Sequence, residues 1–143
     1  MLFRSRPSKL INTQMALNKV YKDLDLRFLP QPGKKDISFS YDEQAVSRSI
    51  RNLLLTGYFE RPFQPLLGSQ IDKLLFEPVS PLTASILQDE IIRTINNYEP
   101  RATIVDVAVN VYADQNSYNV SLIFYVGNNT SPTAVNLILK RAR

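Results

Sequence analysis

The stretch Asn97-Tyr98-Glu99-Pro100-Arg101 decides the fold, because it separates an amphipathic helix from three strands of alternating polarity. Pro100 has no backbone N–H, and its ring disfavours helical geometry at the preceding residue, so the helix has to end at Glu99. Glu99 and Arg101 are then held close together on short, stiff backbone. We therefore predict a sharp connector whose carboxylate and guanidinium can form a planar, two-pronged ion pair.

A helix with two distinct faces is predicted immediately before this connector. Ser80 is a residue type that caps helix N-termini, and Pro81 suits the first helical position, where a backbone N–H would have no partner. Apolar residues follow at steps of three and four and define one face: Ala84, Leu87, Ile91, Ile95 and Tyr98. The opposite face is polar, so we expect one side of this helix to lie against a core.

Alternating residues after the connector predict three strands. The residues expected to face the core are Val105, Val107, Val109 and Val111 in the first strand, Tyr118, Val120, Leu122, Phe124 and Val126 in the second, and Val135, Leu137 and Leu139 in the third. Turn sequences at 114–117 and 127–132 join these strands. The pattern predicts an antiparallel meander with one face available to the helices.

The third strand, predicted over Thr133–Leu139, is one edge of this open sheet. An edge strand offers unpaired backbone groups, to which a strand of another chain can add. The candidate docking residues on this edge are Val135, Asn136, Leu137 and Ile138. Ala134, Asn136 and Ile138 are expected to point away from the core.

The N-terminal half is predicted to contain further helices. Ser40-Tyr41-Asp42-Glu43 has the form of a capping box, which predicts that a helix starts at Ser40 and ends at Gly57. A short helix is expected at about Gln70–Phe76, and another is compatible with Gln14–Lys22. Pro7, Pro30 and Pro32-Gly33 interrupt the remainder, so residues 1–39 are expected to form an irregular arm.

The predicted fold class is α+β, with two or three helices packed on one face of a small antiparallel β-meander and an irregular N-terminal arm. The chain of 143 residues is long enough for one core. We divide it into a basic arm, residues 1–39, and a domain, residues 40–143. Phe63 and Phe76 are interpreted as core aromatic residues.

The composition excludes several classes of chemistry. The chain has no cysteine and no histidine, which removes disulfides, thiolate chemistry and every catalytic arrangement that uses an imidazole. No apolar run approaches the ~20 residues of a membrane span, and Met1–Arg6 lack the apolar core of a signal peptide. We expect a soluble protein that uses no cofactor or metal.

Positive charge is concentrated at the start of the chain. Residues 1–35 contain eight lysines and arginines against two aspartates. Such an arm is typical of nucleic-acid binding, or of an extension that lies on an acidic partner protein. We favour the protein partner, because the few aromatic residues of the arm are scattered.

Several short motifs, in a characteristic order and spacing, make residues 40–143 similar to a known family. The motifs are Arg61-Pro62-Phe63, Pro65, Gly68, Leu75-Phe76-Glu77, Pro81-Leu82-Thr83-Ala84 and Asn97-Tyr98-Glu99-Pro100-Arg101. Together with the strand meander, they resemble the gene-twenty-five-type baseplate wedge proteins of contractile-tailed phages, which have relatives in type VI secretion systems. The arm is longer than the family pattern, so the resemblance implies nothing about its role.

This resemblance implies a structural protein of the virion tail baseplate, assembled in the host cytoplasm, rather than an enzyme. It implies that Glu99, Pro100 and Arg101, which match the hallmark Glu-Pro-Arg motif, contact the helical core bundle of the wedge. It also implies that the small sheet templates the first ring of the tail sheath. The expected partners are other wedge proteins and the sheath protein. Tail tube or hub proteins are candidate partners for residues 1–39, and no contact with a membrane is expected.

An enzyme is the alternative, since the same family carries a lysozyme-like label and two carboxylates can cleave a glycosidic bond. The candidate acids are Glu77, Glu99 and Asp106. Arg101 argues against Glu99, because a nearby cation lowers the pKa of a carboxyl group, the wrong direction for a general acid. The chain also lacks tryptophan for a sugar platform. A further alternative is an internal Glu99–Arg101 ion pair that stabilises the connector without touching a partner.

Overall fold

The computed structural model describes residues 21–25, 27–31, 33, 36–127 and 129–141. The secondary-structure elements are β1 (Lys22–Leu24), β2 (Phe39–Tyr41), α1 (Asp42–Leu55), α2 (Ile71–Leu74), α3 (Pro81–Tyr98), β3 (Ala102–Tyr112), β4 (Ser117–Val126) and β5 (Thr133–Lys140). The helix considered at 14–22 lies outside the described residues, except that Tyr21 precedes β1 and Lys22 begins it. In the described part of the chain, every helix is too short or too polar to cross a membrane.

The three long strands form the predicted antiparallel meander, in the order β3-β4-β5. β4 lies in the centre, and Tyr118, Val120, Leu122 and Phe124 are fully buried on its core face. α3 packs mainly against β3, and α1 packs against α3 and reaches β4 and β5. The predicted α+β fold class is therefore confirmed, with the helices covering one face of the sheet.

α3 forms as the sequence predicts. The side chain of Ser80 accepts a hydrogen bond of 3.1 Å from the backbone N–H of Thr83, and Pro81 occupies the first turn. Its apolar face lies in the core, where Leu87, Ile91 and Ile95 are fully buried. Burial of each such side chain stabilises a fold by about 1.5–3 kcal/mol, so packing adds to the local preferences that start and stop this helix.

One residue of β3 departs from the predicted alternation. The register between β3 and β4 shifts between Ile104 and Asp106, so Val105 is an extra residue in a β-bulge. Its side chain is exposed, whereas Val107 is buried. The expectation that Val105 shares a face with Val107 was wrong, because the bulge reverses the phase of the pleat between them.

The predicted capping box at Ser40 was also wrong. Ser40 lies in β2, where it pairs with Asp23 of β1, and α1 begins two residues later with Tyr41 at the N-cap position. The Ser40 hydroxyl is buried and accepts a hydrogen bond of 2.6 Å from Nη1 of Arg48. A tertiary strand pair thus takes the place of the local cap, and it ties the end of the predicted arm to the start of the domain.

Phe63 and Phe76 are not core residues. They are 97% and 62% exposed, respectively, which corrects the interpretation from sequence. Phe63 lies in a surface loop whose ends meet through an isolated bridge between Gly57 and Ser69. Gly68 closes this loop with a φ of +140°, and a Cβ atom there would lie 2.4 Å from the carbonyl oxygen of Thr56. The loop is therefore held outside the core that the helices and the sheet already fill.

Candidate interaction sites

The connector at the end of α3 contains the predicted two-pronged ion pair. Arg101 donates from Nε to Oε1 of Glu99 over 2.5 Å, and from Nη2 to Oε2 over 2.8 Å. Ser49 of α1 donates a third hydrogen bond to Oε2 over 2.5 Å. The Glu99 carboxylate is buried, so its acceptor atoms are directed toward groups of the same chain.

These contacts control the ionisation of Glu99. Burial alone would raise the pKa of its carboxyl group, but the hydrogen bonds from Arg101 and Ser49 and the charge of Arg101 outweigh burial and lower the pKa. The hydrogen bond with Glu99 raises the pKa of Arg101 in turn. Glu99 is thus a carboxylate at neutral pH, which suits a fixed ion pair and does not suit a general acid.

The backbone around Pro100 is held from both sides. Glu99 donates its N–H to the carbonyl oxygen of Ile95 over 2.8 Å and accepts from the N–H of Ala102 over 3.1 Å. The carbonyl oxygen of Arg101 accepts from the N–H of Gly127 over 2.9 Å, which ties the connector to the turn after β4. Pro100 itself is exposed at the tip of this rigid corner.

A second ion-pair cluster was missed in the sequence. Asp25 is buried and accepts hydrogen bonds from the backbone N–H and the side chain of Arg27, and Nη1 of Arg48 lies 2.7 Å from its Oδ1. The hydrogen bonds from Arg27 lower the pKa of Asp25 well below its ordinary value. Asp25 and Arg27 have the same acid-x-arginine spacing as Glu99 and Arg101, and this repeated spacing could have revealed the cluster.

The candidate docking edge has the predicted orientation. β5 lies at the edge of the three-stranded sheet, with Val135 and Leu137 buried and with Asn136 and Ile138 exposed. The carbonyl oxygen of Asn136 accepts a long hydrogen bond of 3.5 Å from Nη2 of Arg51 on α1. The N–H of Arg141 donates to the carbonyl oxygen of Asn116, and hydrogen-bonded pairs alternate along an antiparallel ladder, so Asn136 forms a non-hydrogen-bonded pair with Ser121. Its N–H and carbonyl therefore both point away from β4. The free side of β5 therefore presents backbone groups of its outward-facing residues.

The structure does not bring the three candidate acids together. Glu99 is buried with Arg101 and Ser49, whereas Glu77 and Asp106 lie on exposed surface, after α2 and in β3 respectively. Among the described residues, no carboxylate of this trio bonds to another. The described part of the chain also holds no group of three acidic side chains that could bind a metal ion.

A groove of about 320 Å³ lies beside the connector. Its walls come from β1, from α1, from the loop at 57–69 and from Tyr98 at the end of α3. Ser49, which bonds to Glu99, lines this groove together with Arg48 and Arg61. The groove was not predicted, because its walls are separated by many residues along the chain.

Comparison with known proteins places this arrangement in a family. The family model described as baseplate wedge protein gp25 matches residues 40–128. The chain belongs to the gp25 baseplate wedge family. It is 34% identical over 104 residues to the baseplate wedge protein gp25 of Enterobacteria phage T4, a match that covers 73% of this chain and 76% of that protein. The resemblance to the gene-twenty-five-type family is therefore confirmed.

Solved structures share the fold of this gp25-family chain. A crystal structure named for a tail lysozyme from Geobacter sulfurreducens has a TM-score of 0.69 and 19% identity, and the match covers 76% of this chain and 98% of that one. A chain of the anti-feeding prophage baseplate has a TM-score of 0.58 and 18% identity over 86% and 87% of the two chains. A chain of the postcontracted R2 pyocin baseplate has a TM-score of 0.56 and 22% identity over 79% and 97%.

The family match identifies a baseplate wedge protein of contractile phage tails. The relative in phage T4 is a structural baseplate component, and this gp25-family protein is accordingly a structural component of the virion tail baseplate. Other baseplate proteins are its partners. The likeness to the solved structures concerns the fold, and the word lysozyme in one of their names carries no activity to this chain.

Proposed function

We propose that this wedge subunit docks on the core of the baseplate wedge through Glu99, Pro100 and Arg101, and that β5 templates the first ring of the tail sheath. The observation that carries the proposal is the free edge of β5. This strand is eight residues long, and the helices cover one face of its sheet. Such an edge is suited to accept a strand from another protein. The rigid corner at Pro100 supplies a separate place for attachment.

The connector supports a division of roles between its two charged residues. The side chain of Glu99 is 4% exposed, whereas that of Arg101 is 30% exposed. A partner can therefore contact Arg101 but not the carboxylate behind it. In this proposal Glu99 and Ser49 orient the guanidinium, and Arg101 with the exposed Pro100 contacts the wedge core.

The arm is a third part of the proposal. The family match begins at residue 40, which supports treating residues 1–39 as an arm beside the wedge domain at 40–143, and β1 and Asp25 attach the end of this arm to the domain. We propose that the arm, with its excess of positive charge, contacts acidic surfaces of tail tube or hub proteins. Assembly with these partners would take place in the host cytoplasm.

Arg101→Lys should assemble poorly although it folds. Lysine keeps the charge but loses the planar fork, so the oriented contact should weaken. We expect a thermal melting temperature within a few degrees of wild type and at least about tenfold lower incorporation into baseplates, the loss that corresponds to about 1.4 kcal/mol. Incorporation is measured by complementing a phage that lacks this protein. Arg93→Lys is the control and should assemble normally, because the Arg93 side chain is 53% exposed and lies away from the connector, although it pairs at i,i+3 with the buried Glu90. Normal assembly of Arg101→Lys would contradict the contact.

We also propose that the subunit is not an enzyme. The support is the buried, ionised state of Glu99, whose carboxylate bonds to Arg101 and Ser49 and to neither of the other two candidate acids. The purified chain should release no more soluble fragments from peptidoglycan than Glu99→Gln does, as measured by turbidity and reducing ends. Lysis by wild type that disappears in Glu99→Gln would overturn the structural role and restore the lysozyme hypothesis.

A further inference from the structure

Three large apolar side chains are exposed on one loop. This loop, residues 57–69 and here named the Phe loop, carries Phe59, Phe63 and Leu66, which are 75%, 97% and 68% exposed. Isolated exposed apolar residues are common, but three within eight residues concentrate exposed apolar area on this one loop. Phenylalanine is enriched in protein interfaces relative to the rest of the protein surface.

The Phe loop is built to hold these side chains in place. The N–H of Phe59 donates to the carbonyl oxygen of Pro65 over 2.8 Å, across the loop. The hydroxyl of Tyr98 donates to the carbonyl oxygen of Leu66 over 2.5 Å and so fastens the loop to the end of α3. Gly68 closes the loop in a backbone conformation that other residues rarely adopt. A preorganised loop loses little conformational entropy when it binds.

Arg61 adds a positive charge to the Phe loop, between Phe59 and Phe63. Its guanidinium forms neither a hydrogen bond nor an ion pair with any residue that the structure describes. The side chain is exposed, and it also lines the groove beside the connector. An arginine in this setting is suited to a carboxylate of a partner, through a two-pronged hydrogen bond.

The groove joins the Phe loop to the proposed wedge contact. Arg61 lies on its loop side, and Asp23, whose charge acts on Arg101, lines its other side. Ser49, the hydrogen-bond donor to Glu99, also lines it. The groove therefore borders both the Phe loop, through Arg61 and Leu67, and the residue that bonds to Glu99, so one partner protein can contact both.

We propose that the Phe loop inserts Phe63 into an apolar cleft edged by carboxylates on another baseplate protein, with Arg61 paired to one of those carboxylates. The inference extends the proposed wedge contact and rests on the membership of this chain in a baseplate. The Phe loop is then the anchor of the contact, and the connector fixes its angle. A different protein fits better than a second copy of this chain. Arg61 is suited to an acidic surface, whereas this chain carries a net charge of +4 and would repel a second copy.

The test is complementation of a phage that lacks this protein, with the full chain supplied in trans together with the remaining tail proteins. Phe63→Ser should reduce incorporation into purified baseplates at least about tenfold, the effect typical of a central aromatic anchor. Its melting temperature should equal that of wild type, since the side chain is exposed. Phe76→Ser, at a residue 62% exposed outside the loop, is the matched control and should incorporate normally.

Arg61→Glu should reduce incorporation at least as strongly, because it sets a carboxylate against carboxylates. Incorporation of Phe63→Ser at the wild-type level would overturn the inference. If Arg101→Lys fails to incorporate in that same assay, the connector contact holds although the Phe-loop contact does not. Analytical ultracentrifugation of the purified chain tests whether the Phe loop binds a second copy of this chain instead of another baseplate protein. A wild-type dimer that Phe63→Ser dissociates would assign the loop to a second copy and overturn the heterologous partner.

Discussion

Replacing Arg101 with methionine is expected to destabilise the fold by about 2–3 kcal/mol at neutral pH. Methionine has a similar length but no charge, so Glu99 would remain buried with Ser49 as its remaining side-chain donor. Removal of one partner from a buried ion pair costs about 3–5 kcal/mol. We expect less, because the Arg101 side chain is 30% exposed and water can partly replace it.

This loss should depend on pH in a defined direction. In wild type the folded-state pKa of Glu99 is below its ordinary value of 4.5, so ionised Glu99 stabilises the fold above that pH. The stabilisation disappears as the pH falls through the lowered folded-state pKa. In Arg101→Met, burial remains without the cation, so the ionised carboxylate is unfavourable. The difference between the two proteins should therefore be largest at neutral pH and shrink below about pH 4.5.

Urea unfolding at several pH values measures this difference. Arg51→Met is the control, because the Arg51 side chain is exposed and its hydrogen bond to the carbonyl oxygen of Asn136 is long, at 3.5 Å. We expect a much smaller change in unfolding free energy for this control. Equal losses for the two variants, or a deficit of Arg101→Met that persists unchanged at pH 3, would contradict the account of the connector.

Replacing Asn136 with proline is expected to reduce sheath assembly strongly on an otherwise intact baseplate. The N–H and carbonyl of Asn136 point to the free side of β5, so proline removes no hydrogen bond to β4. It does remove a donor from the edge, and its ring obstructs an incoming strand. If β5 templates the sheath, polymerisation should fall about tenfold or more, the consequence of losing at least about 1.4 kcal/mol from strand addition.

The measurement is the yield and length of sheath on baseplates that carry the variant, counted by electron microscopy. Asn136→Ala is the matched control, because it truncates the same side chain and keeps the backbone donor. Circular dichroism should show both variants folded. Equal sheath yield on the two would mean that this edge does not receive the sheath strand, and would leave β3 or a side-chain contact for that role.

Elements with strong local signals were predicted well. α3 has a cap, a proline at its start and another proline at its end, and its periodicity agrees with the face that is buried. β4 and β5 alternate without interruption, so their core residues were predicted correctly. The bulge at Val105 was not predictable, because the alternation of valines continues through it and the shift depends on the register with β4.

Features that depend on distant parts of the chain were missed. Ser40 has the sequence of a cap, but its pairing with Asp23 in β1 decides its place. Phe63 was assigned to the core because its side chain is hydrophobic. Hydrophobicity alone does not show whether other side chains already fill the core. At the connector, spacing predicted the bond between Glu99 and Arg101, whereas the hydroxyl of Ser49 comes from 50 residues away and has no sequence signal.

The bulge in β3 makes the two sides of the sheet unequal. β5 runs for eight regular residues, whereas β3 is bent at Val105, and bent edge strands pair poorly with other chains. Extension by strand addition is therefore expected at the β5 side alone. A ring of such subunits would have a polarity: every copy would accept a strand in the same sense, and growth would leave the baseplate in a single direction.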